Sequence, residues 1–380
     1  MTMNTKVISF LLLSVSLIGT PRASAWVQVG PTKSLILAPL KTTPISPRRQ
    51  LQHTVSDSSA SVIERVGEKV EAKELQKQSN QVRRLLESST LHIASTVFAA
   101  TVLTFALNNF AAFGPILASG FTALTSALLL PEKFALAALC GSFAGMARTA
   151  VIPSVTASMA LGVLSAAAMT LFNWKSWLIG MGGRLGFIAQ CACTTQFLVS
   201  MLFIKPGSSA ALVGSYPRVG KLLWSTPAIA FFTVFGAFFM TYWKETIAEM
   251  AKNPQNSEIR STIYKRLSTS VSAVAATGIL GSLLLPPAAA GPAFCGSFIA
   301  MSAPSKLPTY GAMLGAALLG GIWQQSLAGV LVGGWGGKLG TAALLGVLSY
   351  SKLENMVKRN LEAERKKPND SALQPAVQEV

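Results

Sequence analysis

Apolar residues gather into successive runs between Ile93 and Tyr350, parted by short polar or proline-containing stretches, and this rhythm predicts about ten helices. In the first half the runs cover about 93–112, 114–131, 134–150, 153–173 and 177–204. In the second they cover about 222–243, 267–286, 288–302, 308–323 and 327–350. A stretch of roughly 17–25 apolar residues crosses a hydrocarbon core of about 30 Å. Two runs, 288–302 and 308–323, are short for that, whereas 177–204 is long, so tilt or unwinding at its glycines is expected to absorb the excess. The alternation in segments of roughly ten residues that marks a membrane β-barrel is missing from the sequence.

The second half repeats the first. Leu128-Leu129-Leu130-Pro131 aligns with Leu283-Leu284-Leu285-Pro286, and at the same spacing Cys140-Gly141-Ser142-Phe143 meets Cys295-Gly296-Ser297-Phe298. Met146 then meets Met301 and Pro153 meets Pro308, after which one residue of slippage brings Gly182-Gly183-Arg184-Leu185-Gly186 onto Gly336-Gly337-Lys338-Leu339-Gly340. Leu and Ala matches are cheap in apolar sequence, but ordered motifs of Cys, Ser, Pro and charge are not. Five spans per half is an odd number, so the second copy would enter the membrane from the opposite side. The expected fold is therefore an all-α polytopic membrane protein, about ten transmembrane helices arranged as two inverted five-helix repeats.

Charge supports that parity. With the N-terminus on the positive side, that side collects thirteen cations, among them Arg83, Lys133, Lys175, Lys244, Arg266, Lys306 and Arg359. The other side collects only Arg148, Lys205, Arg218 and Lys221, the bias that the positive-inside rule describes. Only 12% of residues are charged, about half the usual fraction of a soluble domain. The net charge of +17 is spread over tails and loops, so nucleic acid is not an expected partner.

The N-terminus reads as an address. Residues 1–25 combine Lys6, the apolar run VISFLLLSVSLIG and the small-residue site Ala23-Ser24-Ala25, the pattern of a secretory signal peptide. From Trp26 to Ser56 there are four basic residues (Lys33, Lys41, Arg48, Arg49), no acidic one and many Ser and Thr, as in a transit peptide. An Ala-Ser-Ala site followed by an aromatic resembles the bipartite presequences of algae with complex plastids, with Trp26 in place of the usual Phe. The resemblance covers about the first 55 residues and implies a plastid membrane, inner envelope or thylakoid. An ordinary secretory signal ahead of a polar segment is the alternative. The expected organisation is signal peptide 1–25, transit-like segment 26–59, an amphipathic or linker helix 60–90, membrane repeats 91–205 and 222–350 joined by 206–221, and a disordered polar tail 351–380.

Candidate chemistry is sparse. The chain has only two Asp, Asp57 and Asp370, and the carboxylates between Glu87 and Glu354 are Glu132, Glu245, Glu249 and Glu258, all at segment ends or in a loop. Both histidines, His53 and His92, precede the apolar region, and the cysteines Cys140, Cys191, Cys193 and Cys295 lack metal or redox spacing. No catalytic motif, cofactor or metal site is expected. What stands out is a cation inside each glycine motif. Burying one costs at least about 2.5–3.5 kcal/mol, and such residues normally face a bundle interior or a cavity. With no intramembrane acid as partner, a small anionic solute is the expected ligand. Arg184 and Lys338 would hold it, Gly182, Gly183, Gly336 and Gly337 would admit its approach to backbone N–H groups, and Ser142 and Ser297 would lend hydroxyls. Gln190, Gln196, Gln324 and Gln325 are weaker candidates. The competing reading has the cations snorkel to an interface and the glycines and serines serve helix packing. These residues point to an anion transporter or channel, with a non-transporting membrane scaffold as the second reading. The lipid bilayer is a partner in both, and a homo-oligomer is compatible with both.

Overall fold

Proline and hydroxyl residues set where each helix begins. A missing N–H costs nothing in the first turn, and a Ser or Thr oxygen satisfies a donor there. Described here are residues 89–203, 226–253, 257–331 and 334–366 of a computed structural model, and the regular structure among them is entirely helical. The expected presequence, the segment 60–88, the 206–221 connection and the last residues of the tail lie outside the described residues. The helices are α1 (Ser89–Asn109), α2 (Pro115–Leu129), α3 (Glu132–Gly145), α4 (Val155–Trp174), α5 (Arg184–Phe203), α6 (Thr226–Lys252), α7 (Glu258–Leu267), α8 (Ser270–Leu284), α9 (Pro287–Ala300), α10 (Tyr310–Val330) and α11 (Lys338–Lys366). Pro115 and Pro287 lie in the first turns of α2 and α9, and Pro131 and Pro286 are the N-caps of α3 and α9. Ser154 Oγ accepts from Ala157 N at the start of α4, and Thr309 Oγ1 accepts from Ala312 N at the start of α10.

Three helices, α1, α4 and α6, are long and apolar enough to cross a membrane. α7 and α8, bent by 74° at their junction, would make a fourth if counted as one span. The other expected spans are helical, but several are short: α2 and α8 have 15 residues each, α3 and α9 have 14. Two expectations change. The long run 177–204 is not one helix: residues 175–183 are turns, with Ser176 and Leu178 at positive φ, and the helix starts only at Arg184. The run 327–350 also breaks, and α11 continues through the supposedly disordered stretch as far as Lys366. That extension is rich in Leu, Lys, Glu and Arg, good helix formers, and carries a Glu354–Lys358 pair at 2.6 Å one turn apart.

The packing in the two halves follows one plan. α1 runs parallel to α3 with backbones touching: a Cβ on Gly141 would strike Val97 O and one on Gly145 would strike Thr101 O. α6 lies on α9 in the same way, Gly296 against Thr233 O and Gly236 against Ala293 O. Cys140 Sγ donates to Leu185 O at 3.5 Å, and Cys295 Sγ donates to Leu339 O at 3.3 Å. Between halves the contacts are reciprocal, the signature of a local two-fold. Arg148 N donates to Gly334 O (3.0 Å), and Ala303 N donates to Gly180 O (2.8 Å). A Cβ on Gly186 would sit 2.6 Å from Gly340 Cα, and one on Gly340 would sit 2.6 Å from Gly186 Cα. Phe143 and Phe298, equivalent in the repeat, pack with ring centroids 4.7 Å apart.

Candidate functional site

The two glycine motifs form the centre of this arrangement. Gly183 lies against Gly340 O and Leu344 N, and Gly337 lies against Gly186 O and Gln190 N. As one residue number rises its partner's falls, so α5 and α11 cross antiparallel with their N-terminal ends overlapping. Gly183 (φ 81°) and Gly337 (φ 83°) turn the chain into each helix through a backbone conformation that glycine adopts without strain. Gly182 and Gly336 complete the approach, packed on the carbonyls of Phe298 and Phe143 respectively. Sequence spacing placed the cations well inside their segments; the structure puts each on the first residue of a helix.

Each cation turns back onto its own half. Arg184 donates through Nε to Trp177 O and through Nη2 to Asn173 Oδ1, both at 2.8 Å. Lys338 Nζ donates to Leu331 O at 3.3 Å. The acceptor carbonyl is seven residues upstream in both cases, at the end of α10 or in the turns after α4. A cation at the C-terminal end of a helix is stabilised there, because the helix dipole leaves the last carbonyls partly negative. The two charges share a location relative to the two-fold but are bonded to separate sets of atoms.

The serines are occupied too. Ser142 Oγ donates to Leu139 O at 2.8 Å and lies 2.9 Å from Ser119 Oγ, while Ser297 Oγ donates to Phe294 O at 2.7 Å. Both hydroxyls thus satisfy their own helices, as the packing alternative expects. Gln190 is more telling. It is 4% exposed, its amide nitrogen donates to Thr194 Oγ1 at 3.2 Å, and its Oε1 is buried with no hydrogen-bond partner. Gln324 Oε1 is buried in the same condition.

Sequence reasoning overlooked Asn173 and Ser302. Asn173 is the polar residue just before Trp174, but nothing in its spacing announced that Arg184 would fold back to it. Ser302 Oγ accepts from Gly182 N at 2.9 Å, and Ala147 holds the matching position in the first half. Ser302→Ala is expected to lower stability by about 1–2 kcal/mol, because a partly buried N–H loses its acceptor. The thermal midpoint of the purified protein checks this.

The class that these features define is an all-helical protein with helices suited to crossing a membrane. No family model matches the chain, no curated protein is similar to it, and no solved structure matches it.

Proposed function

We propose that the chain is a plastid-membrane transporter or channel for a small anion, built from two inverted five-helix halves that span the membrane about ten times. The observation that carries this reading is the antiparallel crossing of the N-terminal turns of α5 and α11, each with a cation on its first residue. A helix N-terminus is equivalent to roughly half a positive charge and binds anions readily. Equivalent helices that cross antiparallel require a two-fold perpendicular to them, and for membrane-crossing helices such an axis lies in the membrane plane, as in inverted-repeat transporters. The donors left over on Arg184 and Lys338 face the solute, and rocking one half against the other opens the central crossing to either side. An inorganic anion such as bicarbonate, chloride or phosphate, or a small organic acid, fits this chemistry. The resemblance of the first 55 or so residues to a bipartite presequence supports the plastid membrane.

Anion flux into proteoliposomes tests the proposal. Arg184→Gln and Lys338→Gln are each expected to reduce flux at least tenfold, since a hydrogen bond to a charged group contributes about 1.5–3 kcal/mol. Gel filtration of each variant as a single species separates this loss from misfolding. A second reading, a non-transporting scaffold, draws on the local bonding of both cations and on the phenylalanines filling the two-fold. Wild-type protein that passes none of these anions favours the scaffold.

A further inference from the structure

The two halves differ at one end. In the first half, asparagines at the end of α1 tie down the loop after α3. Asn108 Nδ2 donates to Met146 O and Asn109 Nδ2 donates to Ala147 O, both at 3.1 Å, and Asn109 Oδ1 accepts from Thr149 N at 3.2 Å. The packing register that pairs Val97 with Thr233 places Glu245 where Asn109 stands, and the repeat places Pro304 where Thr149 stands. Glutamate has no amide N–H to give a loop carbonyl, and proline has none to give the side chain. The tie is therefore lost, and Glu245 Oε1 instead accepts from Tyr310 Oη at 2.7 Å. Where the first half is tied shut, the second half has a groove of about 330 Å³ bounded by Thr241, Glu245, Ser302 and Tyr310, among others. Beside it lies a recess of about 260 Å³ lined by Phe238, Thr241, Tyr242, Glu245 and Tyr310.

We propose that this recess binds a quaternary ammonium group, the headgroup of a choline lipid. Three aromatic side chains and one carboxylate line a small open space, the residue types that attract a quaternary ammonium by cation–π contact and charge. Phe238 and Tyr310 stack on one another, 15° apart in plane with centroids at 6.1 Å, to make one aromatic wall of the recess, and the hydroxyl of Tyr310 fixes the carboxylate beside them. A primary ammonium brings three N–H donors that need acceptors, and here one carboxylate oxygen is already engaged. A trimethylammonium group needs no acceptor and is attracted by ring faces and charge alone. The recess is open to the outside, with Tyr242 68% and Tyr310 55% exposed. It lies where α6 passes from the apolar run ending at Tyr242-Trp243 to the charged Lys244-Glu245, the depth of a lipid headgroup. The site is independent of the central glycine motifs and of any transport through them.

Native mass spectrometry of the purified full chain, mixed with equal amounts of phosphatidylcholine and phosphatidylethanolamine of identical acyl chains, tests this. Wild-type protein is expected to retain the choline lipid at least fivefold over the ethanolamine lipid. Glu245→Gln and Tyr242→Ala, changes at exposed positions, are expected to bring the ratio near one, and excess tetramethylammonium is expected to displace the lipid. Equal retention of both lipids by wild type, or an unchanged ratio in both variants, overturns the site. Displaceable binding of tetramethylammonium without retained choline lipid overturns the lipid assignment.

Discussion

Gly183→Ala and Gly337→Ala should each lower the stability of the folded chain by about 3 kcal/mol or more, and by nearly the same amount. Two costs add. An L-residue held at φ near +80° is strained by about 1–2 kcal/mol. The new methyl also meets backbone, not a side chain that can rotate away: Gly340 O and Leu344 N for Gly183, Gly186 O and Gln190 N for Gly337. Overpacking of this kind costs about 1–3 kcal/mol further. Thermal unfolding in one detergent measures the effect. Gly311→Ala serves as the control, since a Cβ there meets nothing closer than Thr309 Oγ1 at 3.8 Å. Its midpoint should hold or rise slightly, as expected of Gly→Ala inside a helix. A large drop at Gly183 with none at Gly337 would contradict the local two-fold.

The second large effect is expected at the phenylalanines on that two-fold. Phe143 and Phe298 are 2% and 1% exposed, and Phe294 packs against both, with centroids 6.2 Å from Phe143 and 4.5 Å from Phe298. Truncating a buried phenylalanine to alanine removes its contacts and leaves a cavity, at about 3–5 kcal/mol. Phe143→Ala and Phe298→Ala should each fall in that range. The double variant should lose less than the sum of the two, by about 0.5–1.5 kcal/mol, because the first change already abolishes the contact between the rings. Full additivity in the double-mutant cycle would mean that the rings do not touch in the folded protein.

The helices and their order were legible from apolar runs, because a run long enough to bury its backbone polar groups in a helix needs no partner to declare its type. The pairing of the two glycine motifs was foreshadowed by their likeness, Gly182-Gly183-Arg184-Leu185-Gly186 to Gly336-Gly337-Lys338-Leu339-Gly340. The breaks inside apolar runs were not. Residues 177–183 lie outside the helix without being polar, so hydropathy reads through them, and their backbone conformation is decided by packing of Gly180 and Gly182 on the opposite half. The partners of Arg184 and Lys338 were illegible for the same reason. A carbonyl seven residues upstream becomes an acceptor only once those turns exist. That Ser142 and Ser297 donate one turn back was foreseeable, because a hydroxyl in a helix finds an acceptor there whatever its surroundings. The continuation of α11 to Lys366 was underread: polar sequence was equated with disorder although its residues favour helix.

The antiparallel crossing of α5 and α11 has an electrical consequence. It sets like poles of two dipoles against each other and adds the charges of Arg184 and Lys338, while Glu132 and Glu258 open α3 and α7 and Glu245 and Glu249 lie in the last third of α6. Such an arrangement raises the potential in the protein's interior, as half-helix N-termini do in pores that turn protons away. A cation brought toward the crossing meets that potential as repulsion, and an anion meets it as attraction.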